Sequence, residues 1–116
     1  MTVYGIPNCN TVKKAIDWLK ANERKFEFHD YKKQGIAKEK LKEWTSEVGW
    51  ENLVNKKGTT WRMLAVEQQQ NITNEKNTIK LMIEKPSVIK RPVIETEGKL
   101  IVGFDEEEYN NRLKTK

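Results

Sequence analysis

The sequence predicts a single α/β domain spanning residues 1–116, in which a β-α-β unit and a β-β-α unit are separated by a helical insertion. Three observations lead to this prediction. An apolar strand, an amphipathic helix and an alternating strand follow one another near the N-terminus. Between residues 37 and 86, apolar residues recur at helical spacing. The last third returns to strand patterns, and a chain of this length has enough residues for one hydrophobic core but not for two.

The N-terminal unit begins with an apolar strand over residues 2–6 and a turn at Pro7 and Asn8. An amphipathic helix then opens at residues 9–11, because apolar side chains follow at helical spacing. Residues 25–31 alternate apolar and polar side chains, which is typical of a half-buried strand. We expect the inward face of the helix to contain Val12, Ile16 and Leu19.

The insertion is predicted to contain several helices. The first ends at Gly49, since glycine commonly follows the last turn of a helix. Residues 50–64 are interrupted by a Lys-Lys-Gly run, which favours two short helices, the second capped by Thr59 or Thr60. Residues 73–85 form another helix that stops before a proline.

The C-terminal unit is predicted to be a hairpin followed by a helix. Its strands cover residues 88–94 and 100–104 around a turn at 97–99. Pro92 cannot donate to a strand ladder, so it belongs at a strand start, an edge or a bulge, and the Arg91-Pro92 bond is a candidate cis peptide. We expect Asp105 to cap the last helix, with Tyr109 and Leu113 facing inward.

The single cysteine of the chain, Cys9, lies where the first strand turns into the first helix. The free N–H groups and the positive dipole end of a helix favour thiolate over thiol, and Lys13 and Lys14 add positive charge nearby. A lone cysteine is also a common buried apolar residue. Three polar neighbours favour the accessible, reactive interpretation: Asn8, Asn10 and Thr11.

Composition excludes several classes of function. The net charge is +5, but the 22 Lys and Arg are interleaved with 17 Asp and Glu, which indicates a solvated surface rather than a nucleic-acid site. One cysteine and one histidine do not suffice for a zinc site. The chain has no apolar run of the ~20 residues that cross a bilayer and no signal-peptide pattern. We therefore expect a cytoplasmic monomer without disulfides or membrane contact.

Five segments carry a resemblance to a known family: residues 8–15 (NCNTVKKA), 28–31 (FHDY), 49–50 (GW), 55–62 (NKKGTTWR) and 90–92 (KRP). Together, and in this order, they resemble the ArsC/Spx family of arsenate reductase-like proteins, and especially its YffB-like branch of glutathione-dependent thiol reductases. The resemblance covers nearly the whole chain. It implies a thioredoxin-like fold with the helical insertion between the two halves.

The resemblance also implies a catalytic site. The nucleophilic cysteine of the family corresponds to Cys9, and the arginine before the cis-proline corresponds to Arg91. Asn10, Thr11 and the amides at the helix start would hold a negatively charged oxygen, with Asn8 and Pro92 completing the substrate site. No bound cofactor is implied. Glutathione or another small thiol, with glutaredoxin as a further partner, would regenerate the cysteine.

The chain departs from the family pattern at three positions. Arsenate-reducing members carry arginines where this chain has Asn55 and Gly103, and the second cysteine of Spx regulators is replaced by Val12. We therefore expect feeble arsenate reduction, since arginine donors suit that oxyanion. The alternatives are an Spx-like binding module that contacts the alpha subunit of RNA polymerase without catalysis, or a member without activity.

Overall fold

The computed structural model describes residues 1–113. Its strands and α-helices are, in chain order, β1 (Thr2–Gly5), α1 (Asn10–Ala21), β2 (Glu27–Asp30), α2 (Tyr31–Gln34), α3 (Lys38–Val48), α4 (Thr59–Arg62), α5 (Val66–Gln70), α6 (Glu75–Glu84), β3 (Val93–Thr96), β4 (Lys99–Val102) and α7 (Glu106–Arg112). Short 3₁₀ turns lie at Trp50–Asn52 and Pro86–Val88. None of the described helices is long and apolar enough to cross a membrane.

The chain forms two compact units. Among the described residues, the first contains Met1–Asp30 together with residues 91–113, and the second is Tyr31–Lys90. The predicted insertion, residues 37–86, falls within the second unit, which consists of helices, turns and one isolated bridge between Val54 and Ile89.

The first unit is built on a four-stranded sheet with the order β2-β1-β3-β4. Strands β1 and β2 are parallel, as their connection through α1 requires, and β3 is antiparallel to both β1 and β4. Four strands with helices in this order confirm the predicted α/β, thioredoxin-like fold.

One face of this sheet packs against α1 and α7. Because side chains alternate along a strand, Val3, Ile94 and Ile101 all point to that face, where they are fully buried. The prediction that Val12, Leu19, Tyr109 and Leu113 face inward is confirmed, whereas Ile16 is only half-buried. The remaining members of this core cluster come from the two helices: Ala15, Trp18, Leu19, Tyr109 and Leu113.

Tyr109 fixes α7 to the end of the hairpin. Its hydroxyl donates a hydrogen bond to the Gly103 carbonyl at 2.7 Å, and its ring makes edge contacts with Trp18 and Phe104. Burial raises the pKa of the phenol far above its ordinary value. Asp105 begins the helix as predicted, since its carboxylate accepts hydrogen bonds from the backbone N–H groups of Glu107 and Glu108.

Sequence patterns missed three helix starts in the second unit. The cap of α4 is Gly58 rather than Thr59 or Thr60, because the chain turns one residue earlier. Helix α6 starts at Glu75 instead of residue 73, since the Asn74 side chain accepts a hydrogen bond from the Asn77 amide at 2.9 Å. Helix α5 was not predicted, because its sequence, VEQQQ, shows no apolar periodicity.

The predicted end of β2 and the predicted start of β3 were also wrong. Tyr31 begins α2 instead of ending β2. The strand predicted over residues 88–94 starts only at Val93, because Pro92 has no N–H to donate. Val88 ends the second 3₁₀ turn, and Ile89 forms the isolated bridge with Val54. The Arg91-Pro92 peptide is cis, as predicted.

Gly5 is a point of close approach between β1 and α1. A Cβ atom at this position would lie 2.9 Å from Cγ2 of Val12. We therefore predict that Gly5→Ala lowers the free energy of unfolding by roughly 1–3 kcal/mol through overpacking. Urea denaturation of Gly5→Ala, Val12→Ala and the double variant tests the cause. The added methyl fills space that Val12→Ala vacates, so the double variant should lose less than the sum of the two losses. Simple additivity would contradict this contact.

Candidate active site

Cys9 is the N-cap residue of α1. Its backbone is extended, with φ −109° and ψ 124°, and its carbonyl accepts the first helical hydrogen bond from the Lys13 amide at 3.0 Å. The chain reaches this position directly from β1 through the turn at Pro7 and Asn8. The thiol is half-buried, so it is open to solvent on one side while resting on the helix end. The sequence predicted this placement.

The environment of Cys9 lowers the pKa of its thiol. Burial acts in the opposite direction and raises it, but hydrogen bonding by the Val12 amide, the Arg91 side chain and the Thr11 amide, together with the Arg91 charge, outweighs burial. Hydrogen bonds to the charged form of a titratable group favour that form, so these donors stabilise the thiolate, which is the nucleophilic form.

The helix start supplies the two amides in a regular way. With Cys9 at the N-cap, Thr11 and Val12 are the second and third helical residues. A capping side chain normally accepts a hydrogen bond from the N–H group of one of these two positions. Sequence reasoning missed Val12 as a functional position, since its apolar side chain indicated only the core. The capping rule would have identified its amide.

Arg91 reaches Cys9 because of the strand order in the sheet. Tyr4 of β1 is paired with Val93 of β3, so the residues just beyond them along the antiparallel pair, Gly5 and Pro92, lie side by side. The Pro92 carbonyl accepts a hydrogen bond from the Gly103 amide at 2.7 Å, which ties the same segment to the end of β4. Pro92 is buried and Arg91 is half-buried, with its guanidinium beside the sulfur.

The other predicted site residues occupy the rim around Cys9. Asn8 lies in the turn before the cysteine, and Asn10 and Thr11 are the first two residues of α1. All three side chains are exposed, so they are available to a ligand at the helix start. Lys13 and Lys14 are exposed as well, and the lowered thiol pKa is due to the helix amides and Arg91 rather than to these lysines.

Two positions that depart from the family pattern have local structural roles. The Asn55 carboxamide oxygen accepts a hydrogen bond from the Lys57 amide at 3.1 Å, and its side-chain nitrogen would lie 2.8 Å from a Cβ at Gly58. Gly103 has φ +85° and hydrogen-bonds through both its N–H and its carbonyl. Each residue shapes its own turn.

A polar group on the sheet escaped sequence reasoning. The Tyr4 hydroxyl donates a hydrogen bond to the Glu95 carboxylate at 2.8 Å, and the Tyr4 ring packs 4.8 Å from the His29 ring. His29 is thus part of a packed cluster, consistent with a structural role. Among residues 1–113, no cluster of three or more His, Cys, Asp and Glu side chains is arranged to hold a metal ion.

Solved structures resemble this chain over nearly all of its length. The YFFB protein has a TM-score of 0.92 and 43% identity, with 97% of each chain covered. An arsenate reductase (ArsC) related protein from Brucella melitensis has a TM-score of 0.76 and 43% identity, with 98% of this chain and 94% of that chain covered. Both proteins are similar to this chain in sequence and in fold.

A regulator is also among the relatives. The global transcriptional regulator Spx of Streptococcus agalactiae serotype V is 29% identical over 110 residues, which are 93% of this chain and 79% of the regulator. The sequence pattern of the ArsC family matches residues 4–112. That match includes the Cys9 helix start, the whole helical unit and the Arg91-Pro92 segment, and the chain therefore belongs to the ArsC family.

Proposed function

We propose that this protein is a thiol-dependent reductase that uses Cys9 as its single nucleophile and an external thiol to complete the cycle. The observation that carries the proposal is the lowered pKa of Cys9, caused by the Val12 and Thr11 amides and Arg91 against the opposing effect of burial. A half-buried thiol of this kind has the electropositive, partly exposed surroundings of reactive cysteines.

The proposed cycle has two thiol–disulfide exchanges. The Cys9 thiolate attacks one sulfur of a disulfide substrate, forming a mixed disulfide, and the other sulfur leaves as a thiolate that takes up a proton. A glutathione thiolate then attacks the substrate sulfur of the mixed disulfide. This step releases Cys9 as a thiolate and leaves the substrate joined to glutathione by a disulfide. A second glutathione or glutaredoxin then reduces that disulfide. Glutathione supplies the electrons, so no bound cofactor is needed.

The residues around Cys9 have distinct roles in this proposal. The Thr11 and Val12 amides stabilise the thiolate before attack and again when Cys9 leaves. Arg91 pairs with the thiolate and with a carboxylate of the incoming thiol. The exposed side chains of Asn8, Asn10 and Thr11 offer hydrogen bonds to that ligand, while buried Pro92 forms the adjoining wall.

A second candidate function is an Spx-like binding module that contacts the alpha subunit of RNA polymerase without catalysis. The 29% identity to an Spx regulator favours it. The chain has Val12 where the second cysteine of an Spx redox pair would lie, so no internal disulfide is available to control such binding. Under this alternative, the protein binds the polymerase subunit constitutively, through the same fold.

We predict that Cys9 titrates below the ~8.5 of a free cysteine. Its alkylation by iodoacetamide, measured as a function of pH, should report the midpoint, and Arg91→Ala should move that midpoint upward because a charge-assisted hydrogen bond is lost. Arg91→Lys keeps the charge, so its midpoint should lie between those of the unsubstituted protein and Arg91→Ala. An unchanged midpoint in Arg91→Ala would contradict the proposed role of Arg91.

The same pKa shift predicts a pH dependence of stability. The folded protein holds the Cys9 thiolate at a lower pH than the unfolded chain, so this stabilisation is fully present above the unfolded pKa of ~8.5 and is lost as pH falls through the folded pKa. Cys9→Ser should remove that dependence. Urea unfolding of the unsubstituted protein and of Cys9→Ser, at pH values between the folded and the unfolded pKa, measures this dependence. Free energies of unfolding that change in parallel with pH in the two proteins would contradict it.

We predict that oxidised glutathione forms one adduct, on Cys9, near neutral pH. Mass spectrometry should show a single glutathione on the protein, removed by reduced glutathione or glutaredoxin, and none on Cys9→Ser. Arg91→Ala should slow adduct formation about tenfold if the side chain holds the ligand carboxylate. A thiol modified only after denaturation would contradict the reductase proposal. If a pull-down then retained the RNA polymerase alpha chain through its C-terminal domain, that result would support the binding module.

Arsenate reduction should be absent or at least 100-fold slower than with an arsenate-reducing family member, by an order-of-magnitude estimate from the loss of two charge-assisted contacts. The assay couples arsenate, glutathione and glutaredoxin to NADPH oxidation, with Cys9→Ser as the blank. Efficient Cys9-dependent turnover would show that other residues replace the missing arginines.

A further inference from the structure

A second surface, separate from the Cys9 site, lies within the helical unit between α3 and α6. The two helices pack through buried residues, and on their outer side they leave a groove of about 390 Å³. We call it the α3–α6 groove. Its lining residues are Lys38, Lys42, Glu75, Lys76, Ile79, Lys80 and Ile83.

The rim of the α3–α6 groove is strongly basic. Four exposed lysines stand on it, two from each helix, against the single carboxylate of Glu75. Throughout residues 1–113, none of these lysines forms an ion pair with a carboxylate. The lysines of each helix are also four residues apart, a spacing at which like charges repel. The rim therefore carries an excess of positive charge that no ion pair of the described residues neutralises, and an anionic ligand would relieve its repulsion.

The floor of the groove is apolar. Ile79 is only 4% exposed, whereas Ile83, one turn further along α6, is 41% exposed and is one of three large hydrophobic side chains at the surface of the described chain. Covering Ile83 would bury apolar area, and the lysine stems beside it can extend the same apolar surface. The groove thus combines an apolar strip with a positive border.

This combination favours an acidic protein segment over other anionic ligands. A flat bilayer would gain little apolar contact here, because Ile79 is already buried and Ile83 is the one exposed isoleucine of the lining, whereas membrane-binding helices insert a broad apolar face. Nucleic acid would pair with lysines but gains little from isoleucine, and no aromatic side chain lines the groove for base stacking. A helix with an apolar stripe flanked by carboxylates complements both parts.

We propose that the α3–α6 groove is a docking site for an acidic amphipathic helix of a partner protein. The helix places one or two apolar side chains over Ile83 and its carboxylates against Lys38, Lys42, Lys76 and Lys80. This interaction does not involve Cys9, so it adds a binding function that is independent of the proposed thiol chemistry.

The probe is a fluorescein-labelled synthetic peptide of about fifteen residues, with leucines recurring every three or four positions and glutamates beside them. Fluorescence polarisation with the full-length protein should show saturable binding that weakens as salt rises. A matched peptide with glutamine in place of glutamate should bind about tenfold more weakly or not at all. Equal binding of the two peptides would overturn the charge argument.

Protein variants then locate the site. The double variant Lys42→Glu/Lys80→Glu should weaken peptide binding about tenfold or more, and Ile83→Ser should weaken it roughly threefold through lost apolar contact. Lys20→Glu/Lys33→Glu carries the same change in net charge on exposed residues outside the groove and should change binding less than about twofold. Equal weakening by both double variants would overturn the proposal.

Four further measurements complete the test. Circular dichroism and adduct formation at Cys9 should be unchanged in the groove variants, which shows that they are folded. Sedimentation with phosphatidylserine vesicles and polarisation with a labelled DNA duplex test the other anionic ligands. Tighter binding to either one than to the acidic peptide, lost in Lys42→Glu/Lys80→Glu, would overturn the peptide proposal in favour of that ligand.

Discussion

The antiparallel pairing of β1 with β3 is the interaction on which the candidate active site depends. These strands are about 90 residues apart in the chain, yet Val3 faces Ile94 and Tyr4 faces Val93 in the middle of the sheet. The apolar contacts of Val3 and Ile94 with α1 and α7 fix this register, because a slip by one residue would turn every side chain to the opposite face. Without the pairing, Arg91 and Cys9 would be unrelated groups at the ends of separate segments.

The state of Cys9 follows from a balance between two opposing effects. Burial disfavours a charged sulfur, and the amides and guanidinium favour it by more. The amides are fixed by the helix and need no side-chain ordering, unlike Arg91, which loses rotamer freedom when it pairs. Val12 contributes both to the site and to the packing of the fold. Its amide hydrogen-bonds to the sulfur, and its side chain packs against Gly5.

Sequence patterns predicted the parts of the fold that depend on local rules. Asp105 at its N-cap, Gly49 at the end of α3 and the cis bond before Pro92 each follow from the chemistry of one residue and its neighbours. The patterns failed where tertiary structure decides, as at Tyr31, which continues an alternating pattern but begins a helix. In the site, helix-capping logic predicted the position of Cys9. The proximity of Arg91 came from the resemblance, because long-range register leaves no local signal.

Gly103 has a consequence for which residues the turn after β4 can accept. With φ +85° and hydrogen bonds from its N–H to Pro92 and from Tyr109 to its carbonyl, it holds a turn that a residue with a Cβ would strain. A side chain at this position would meet no neighbouring atom, so the cost of replacing Gly103 lies in the backbone conformation alone. Because that conformation costs a residue with a Cβ roughly 1–3 kcal/mol, any side chain gained here would be offset by a loss of stability in the turn that joins β4 to α7.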